Sequence, residues 1–594
     1  MSNMVQSLWG GVVERREGLE LHYYQGKAVD DCEEAWKTHR KLLTVLPTGA
    51  GKTVFAGEII AREIEAGGVV LMLAHTTKLV CQFRDSCLFN YGIQGGVVVS
   101  QVNHANERLI CATVQSVASR MKKGRWEAPE PTLIVIDESH RSLSGSHQMV
   151  VNAYPKAKVL GLTATPRRGD RKDLMKFFDY KVADIPLSQL IDEGYLAPLE
   201  IENFPVEINV KRLPNRGKGD IDSDEDVEGG QRGDFSAEEV NHAIEPYLES
   251  IADEFIKFAR GRCSLVFLPL RTTSRKFSKM LIERGLKSRH VCGEMSKAEV
   301  DEIIAELERG DIDCICNSML LTEGVDIRPV NLIMNLRLTT SWPLYVQIAG
   351  RGTRTFDPTI KSHNRHGADC RWPLKTSCLL LDPLWLCDDH SLLQRPSTLV
   401  ASDDEERDAM DRIIKELAEK KKKKAEKEAE QDDGDIDADG EEDDEEDDFT
   451  SLMEVLKMAI HEREENLRKR LERNKTKTRR KVNAMEFFLN IKCVDLAQYE
   501  PEAAWEMEPM TAGQREVLKK NKFDLSTIKT KGHASAIITK LMERQRAGLS
   551  SVPQAHYASK EFGMADAFNR SFKDVSDFID KKKSGKDPLK GIPI

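Results

Sequence analysis

The stretch Leu46-Pro47-Thr48-Gly49-Ala50-Gly51-Lys52-Thr53 constrains this chain more than any other part of it. It follows a short apolar run, 42–46, that reads as a buried strand. It precedes 54–66, where apolar residues recur at helical spacing. Strand, glycine-rich turn and helix in that order make a phosphate-cradling loop. The glycines let backbone N–H groups turn toward phosphate oxygens, and the helix N-terminus adds the positive end of its dipole. Thr48, Gly49, Ala50 and Gly51 would line the cradle, Lys52 would reach the β- and γ-phosphates, and the Thr53 hydroxyl would hold Mg²⁺. A chance glycine-rich turn would share the letters but not these flanks. The loop implies a nucleoside triphosphate site.

At 594 residues the chain has room for about three to five domains. No run approaches the roughly 18 apolar residues of a membrane span, and no signal-peptide pattern opens the chain, so a cytoplasmic protein is expected. Several of the 12 cysteines (Cys111, Cys263, Cys314, Cys316) sit inside apolar runs, which suits reduced core thiols. The net charge of −10 is unevenly placed: residues 432–448 hold 13 acidic and no basic residues, which leaves +3 on the remainder. A body that binds a polyanion is compatible with that balance.

From Leu21 to about Ile191, short β-rich runs alternate with helical stretches: 69–74, 97–100, 109–113, 133–136 and 159–162. That alternation predicts a parallel sheet with helices on both faces. A second block of the same kind, 243–395, has strands expected at 264–268, 290–292, 314–317, 332–336 and 378–381. Residues 1–195 form the first expected domain and 196–242 a connector, whose Gly-, Asp- and Lys-rich part (211–234) reads as an insertion. Residues 396–450 read as a charged helix and acidic linker, and 451–594 as a mainly helical accessory region. No internal repeat is evident beyond the two α/β blocks.

Further motifs narrow the chemistry. Leu133-Ile-Val-Ile-Asp137-Glu138-Ser139-His140 is an apolar strand ending in paired carboxylates. Beside a phosphate loop, Asp137 can complete the Mg²⁺ shell while Glu138 orients an attacking water. Leu162-Thr163-Ala164-Thr165-Pro166 is a strand followed by a hydroxyl-rich turn suited to coupling nucleotide state to domain geometry. Leu321-Thr322-Glu323-Gly324-Val325-Asp326 follows a strand of the second block, and Gln347-Ile-Ala-Gly350-Arg351-Gly352-Thr353-Arg354 comes about twenty residues later. Two arginines three apart on a helix would share a face and point together into an interdomain cleft as arginine fingers. A basic surface helix is the plainer alternative.

Together these motifs resemble superfamily 2 helicases and translocases over roughly Leu21 to Asp382. The resemblance implies two tandem RecA-like domains, ATP and Mg²⁺ as cofactors, and DNA, single-stranded or duplex, as the partner. It assigns adenine reading to Gln25, nucleotide contact to Tyr24, Gly324 and Asp326, and catalysis to Lys52, Asp137, Glu138, Gln347, Arg351 and Arg354. Ala74-His75-Thr76-Thr77-Lys78-Leu79-Val80, Ala112-Thr113-Val114-Gln115-Ser116 and Val266-Phe267-Leu268-Pro269 resemble the family's nucleic-acid motifs. His75, Lys78, Thr113, Gln115 and Phe267 are the contacts so implied. Leu-Thr-Ala-Thr-Pro, the Asp-Glu-Ser-His box and Gln-Ile-Ala-Gly-Arg-Gly-Thr-Arg look like the DNA-directed branch. RadD-like helicases of bacteria or phages resemble it most, with replication, recombination or repair as the setting. An RNA helicase, or a nucleotide-controlled clamp that does not move, are the competing readings.

Some features depart from that pattern. Ser139 stands where relatives more often carry Ala, Cys or Val. No repeated Cys-x-x-Cys follows the motor; His363, His366, Cys370 and Cys378 have zinc-ligand chemistry but irregular spacing, and Cys378 is expected to open a buried strand. Residues 468–481 hold nine basic residues and one acidic, enough to grip a phosphate backbone, to pair with the acidic tract, or simply to be a solvated helix. Thr511-Ala-Gly-Gln514 through Leu541 resembles small helical modules in phage and nuclease proteins, a place for nucleic-acid or repair-partner binding or a structural hairpin.

Overall fold

The computed structural model describes residues 13–17, 19–139, 145–164, 174–202, 236–322, 325–337, 339, 341–361, 363–364, 366–381, 396–401, 404–431, 449–473, 481–497, 499, 501 and 504–583. The acidic tract, the 211–234 insertion, Thr165-Pro166, Gly324 and the basic residues 474–480 lie outside them. The chain divides into two units, Met1–Leu456 and Lys457–Ile594.

The first unit holds two seven-stranded sheets. The strands of the first are β1 (Lys41–Val45), β2 (Val70–Ala74), β3 (Gly95–Val98), β4 (Leu109–Thr113), β5 (Leu133–Ile136), β6 (Lys158–Thr163) and β7 (Tyr180–Asp184). They lie in the order β3-β4-β2-β5-β6-β1-β7, every pair parallel. Side chains alternate across a strand, so Leu43 and Val45 join Leu71, Leu73, Ile134 and Ile136 in a buried cluster on one face. Leu42 and Thr44, also fully buried, face the other way. A sheet covered on both faces needs such continuous apolar runs, which is why these strands were readable.

The second sheet comprises β8 (Leu199–Ile201), β9 (Ser264–Phe267), β10 (Ser288–Val291), β11 (Cys314–Asn317), β12 (Leu332–Asn335), β13 (Cys378–Leu381) and β14 (Thr450–Ser451). Its order is β10-β11-β9-β12-β13-β8-β14, with only β14 antiparallel, against β8. The 196–242 segment is therefore not all connector: β8 leaves the first domain and pairs directly with β13, Leu199 opposite Cys378. Cys378 does open a buried strand. The charged helix expected within 396–450 spans Asp404–Gln431.

Strand order positions the chemistry. β6 lies between β1 and β5, so the phosphate loop after β1 and the carboxylates after β5 emerge along one edge, with Thr163 beside Val45. This is the carboxyl edge, where open α/β sheets place ligands.

The second unit is helical and carries an internal repeat that the sequence pattern did not reveal. Helix Ala512–Lys520 is followed by Lys531–Arg546, and Val552–Phe562 by Phe572–Lys583. In each pair a glutamine at the third helical position crosses to the start of the next helix: Gln514 donates to the Lys531 carbonyl at 3.2 Å and Gln554 to the Phe572 carbonyl at 3.3 Å. Thr530 and Ser571 cap the second helices, accepting from His533 N and Asp574 N. Leu518, Ile537, Val552, Ala558 and Val575 share one core with Phe487 and Phe568. So few matched residues left the duplication invisible to periodicity.

Candidate functional site

Gly49 (φ +91°) and Gly51 (φ +72°) give the loop after β1 its turn, and Gly51 caps helix Lys52–Glu65. Both angles lie where a Cβ is strained. At Gly51 a Cβ would also fall 2.5 Å from Gln25 Nε2. Lys52 and Thr53 open the helix, whose first N–H groups lack helical partners and suit an anion. Tyr24 and Gln25 stand behind this loop: the Tyr24 hydroxyl donates to the Ala50 carbonyl at 2.9 Å and Gln25 Nε2 to the same oxygen at 3.0 Å. Burial pushes the Tyr24 hydroxyl well above its usual pKa, which keeps it a donor. Tyr195 packs edge-on to Tyr24 at 4.9 Å and His22 lies 4.9 Å from Tyr195, an aromatic trio that no motif marked.

Asp137 follows β5, its N–H bonded to the Leu73 carbonyl at 3.0 Å. Its carboxylate accepts from Glu138 N at 3.0 Å, and Glu138 adopts φ +50°. A non-glycine residue there costs of order 1–2 kcal/mol, a strain that cores avoid and functional sites tolerate. The turn brings Glu138 Oε1 to 3.6 Å from Lys52 Nζ, both side chains largely shielded from solvent. Two residues 86 positions apart in sequence thus meet because β5 and β1 flank β6 and end on the same edge of the sheet.

The arginine motif departs from expectation. Helix Trp342–Ala349, which carries half-buried Gln347, ends at Gly350, so Arg351 and Arg354 sit in a loop and share no helical face. The helix stops where the chain meets the phosphate loop: a Cβ on Gly350 would fall 2.5 Å from Thr48 Cβ. The Thr353 hydroxyl donates to the Gly350 carbonyl at 3.1 Å and reaches the Thr48 carbonyl at 3.4 Å. Ala197 N donates to the Thr353 carbonyl at 2.6 Å. Arg351 donates to the Thr322 carbonyl at 2.8 Å and to the Val325 carbonyl, while Arg354 pairs with Asp326. Lys375, which no motif pointed to, donates to the Gly352 carbonyl at 2.6 Å. The loop of the second sheet therefore rests on the phosphate loop of the first.

The residues expected to touch nucleic acid fare unequally. Lys78 is exposed and donates to the Leu320 carbonyl of the second domain at 3.2 Å. His75 is half-buried at the end of β2, and Gln115 is exposed just past β4. Thr113 is buried, and its hydroxyl donates to Ser116 at 2.7 Å, so it shapes the turn beneath Gln115. Phe267 is excluded: it is 0% exposed at the end of β9, in the central region of the second sheet, and cannot meet a bound polymer. The four zinc candidates are engaged separately. His363 Nδ1 accepts from Asp357 N, His366 Nε2 lies 2.9 Å from Glu308, and the Cys370 thiol donates to the Glu308 carbonyl. Cys378 is buried under Gly352. Among the described residues no cluster of three or more His, Cys, Asp or Glu could hold a metal.

A phosphate loop on one parallel sheet, covered by an arginine loop from a second, defines a tandem-domain P-loop nucleoside triphosphatase. Family comparison agrees: residues 18–168 match the ResIII family (type III restriction enzyme, res subunit) and 247–355 the helicase conserved C-terminal domain. Residues 18–168 and 247–355 thus carry the two matched helicase domains, on two tandem RecA-like folds followed by a helical C-terminal unit. A 51.5 kDa protein of a Lactococcus phage (isolate 7-9) is 28% identical over 52% of this chain and 61% of its own length. The type I restriction enzyme EcoAI endonuclease subunit of Escherichia coli is 26% identical, over 57% and 44%. A fragment of an HsdR subunit from Vibrio vulnificus YJ016 is 20% identical, with a TM-score of 0.43 over 61% of this chain and 63% of that one. The chain spans about half the length of the curated relatives it matches. No described helix is long and apolar enough to cross a membrane.

Proposed function

We propose that this chain is an ATP-dependent DNA motor, a helicase or translocase that couples ATP hydrolysis to movement along DNA or its unwinding. The observation that carries the reading is the contact of the arginine loop with the phosphate loop, with the Lys52–Glu138 pair on one wall and Arg354–Asp326 on the other. The residues present suit Mg²⁺ and ATP: two glycines with positive φ, a helix N-terminus, and an adjoining lysine and carboxylate pair. Thr53 and Asp137 would hold Mg²⁺, which neutralises charge on the phosphates when bound. Lys52 binds the phosphates. Glu138 orients the attacking water and accepts its proton. Arg351 and Arg354, given up by the carbonyls and by Asp326, stabilise charge that develops on the transferred phosphoryl group, with Gln347 beside them. Tyr24 and Gln25 brace the cradle and border the base.

DNA is the favoured polymer because the matched family is named for a restriction subunit, and relatives include a restriction endonuclease subunit and a protein named as a DNA 3'-5' translocase. His75, Lys78 and Gln115 contact its backbone, without base readout, as a sequence-indifferent motor needs. Replication, recombination or repair is the setting, and the helical unit recruits partners there. The test is displacement of a labelled strand from forked DNA, and of a triplex-forming strand from duplex DNA, with ATP. Displacement by wild type, lost in Glu138→Gln, supports the motor. Displacement only from a forked RNA duplex offered in parallel moves the reading to RNA, and binding without any displacement makes the chain a clamp.

A further inference from the structure

The segment between the arginine loop and β13 contains no motif, yet its last residues run beneath that loop. Lys375 lies there, 8% exposed, its N–H bonded to the Phe356 carbonyl at 3.0 Å. Its ammonium donates to the Gly352 carbonyl at 2.6 Å and to the Val330 carbonyl. Among the described residues no carboxylate forms an ion pair with it. Burying a cation without an anion is costly, and a methionine would fill the volume without that cost. A role for the charge is the natural counterpart.

The two carbonyls belong to the two segments whose contact holds both arginines. Val330 ends the stretch that supplies Thr322, Val325 and Asp326 to Arg351 and Arg354. Gly352 lies between the arginines, and a Cβ there would strike Cys378 Sγ and come within 3.0 Å of Ile333 Cδ1. The loop is thus fixed from above by its arginines and from below by one ammonium. We propose that Lys375 is a positioning residue, a cationic rivet that holds the arginine loop against the phosphate loop; this rests on the ATPase reading above. The groups facing it are Cys378, Cys263, Arg354 and Asp326. Burial pushes the ammonium down to about 8, with Cys378, Cys263 and Asp326 opposing and Arg354 adding to the fall. The sign follows. Between about 8 and the ordinary lysine value the unfolded chain binds more protons, so this group's contribution to stability rises with pH. Its grip on the two carbonyls weakens over the same range.

The experiment compares wild type with Lys375→Met in steady-state ATPase from pH 6.5 to 9.5 with saturating DNA. It adds amide hydrogen exchange of peptides covering 350–354. The expected result is a kcat at least tenfold lower with KM for ATP changed less than threefold. Wild type should lose kcat as pH passes about 8 while the variant stays flat, and exchange at 350–354 should quicken at least tenfold. A variant with wild-type kcat, the same alkaline limb and unchanged exchange would overturn the proposal. If Lys375→Met does not fold, Arg354→Ala decides: its residual activity should lack the alkaline limb, and a retained limb refutes the rivet. Wild type without ATPase on any polymer would sink the functional reading; the exchange comparison would still judge Lys375.

Discussion

Gly51 and Glu138 hold similar backbone angles for different reasons, and both can be tested. Gly51→Ala would place a methyl group against Gln25 Nε2 in an already strained conformation. The expected cost is about 1–2 kcal/mol locally, with at least tenfold weaker nucleotide binding by fluorescence titration. Unaltered affinity would mean that the cradle is not built on that turn. Glu138→Gln keeps the shape but removes a proton acceptor, so ATP should bind normally while kcat falls about 10²–10⁴-fold; normal turnover in single-turnover assays would refute the role. At this scale the sequence was informative wherever chemistry depends on neighbours in the chain. Lys52 and Glu138 could be named because each sits in a contiguous motif. Tyr195 and Lys375 could not, because their importance comes from what the fold lays against them. Phe267 misled for the same reason: a motif places it at a strand end, but only the sheet order shows that end is buried.

At the scale of elements, continuous apolar strands were legible and marginal ones were not. β5 and β11 announce themselves, whereas β7 (Tyr-Lys-Val-Ala-Asp) lies at a sheet edge with no buried residue, and β8 and β14 have three and two residues. The arginine segment read as helix because three-residue spacing is helical, but the helix ends at Gly350, beside Thr48. Lys78 links the end of β2 in one domain to Leu320 in the other. Lys78→Ala is expected to weaken DNA binding several-fold and to lower the salt slope of log K by about 1, measured by anisotropy across salt concentrations. An unchanged slope would remove Lys78 from the phosphate contacts. In the helical unit His533 stacks on Phe488 and Tyr499, and burial pushes its pKa down to about 4. The unfolded chain binds the extra proton between about 4 and 6.5, so stability from this site is full above 6.5 and lost as pH falls through that window. Hydrogen exchange of 504–583, corrected for its intrinsic slowing in acid, should show an excess rate that grows from pH 7 to 4.5. His533→Phe should remove that excess; an unaltered excess would place the instability elsewhere.

At the scale of the molecule, motif order disclosed two α/β domains because each motif is anchored at a strand end. The helical unit's duplication stayed hidden because a few capping and core positions carry it. On the function proposed above, the phosphate loop and arginine loop form one ATP site driven by DNA. Steady-state ATPase of wild type and Lys52→Ala, without polymer and with single-stranded, duplex and forked DNA or RNA, tests it most directly. Strong stimulation by DNA is expected in wild type and none in Lys52→Ala. Hydrolysis indifferent to every polymer, or persisting in Lys52→Ala, would contradict it.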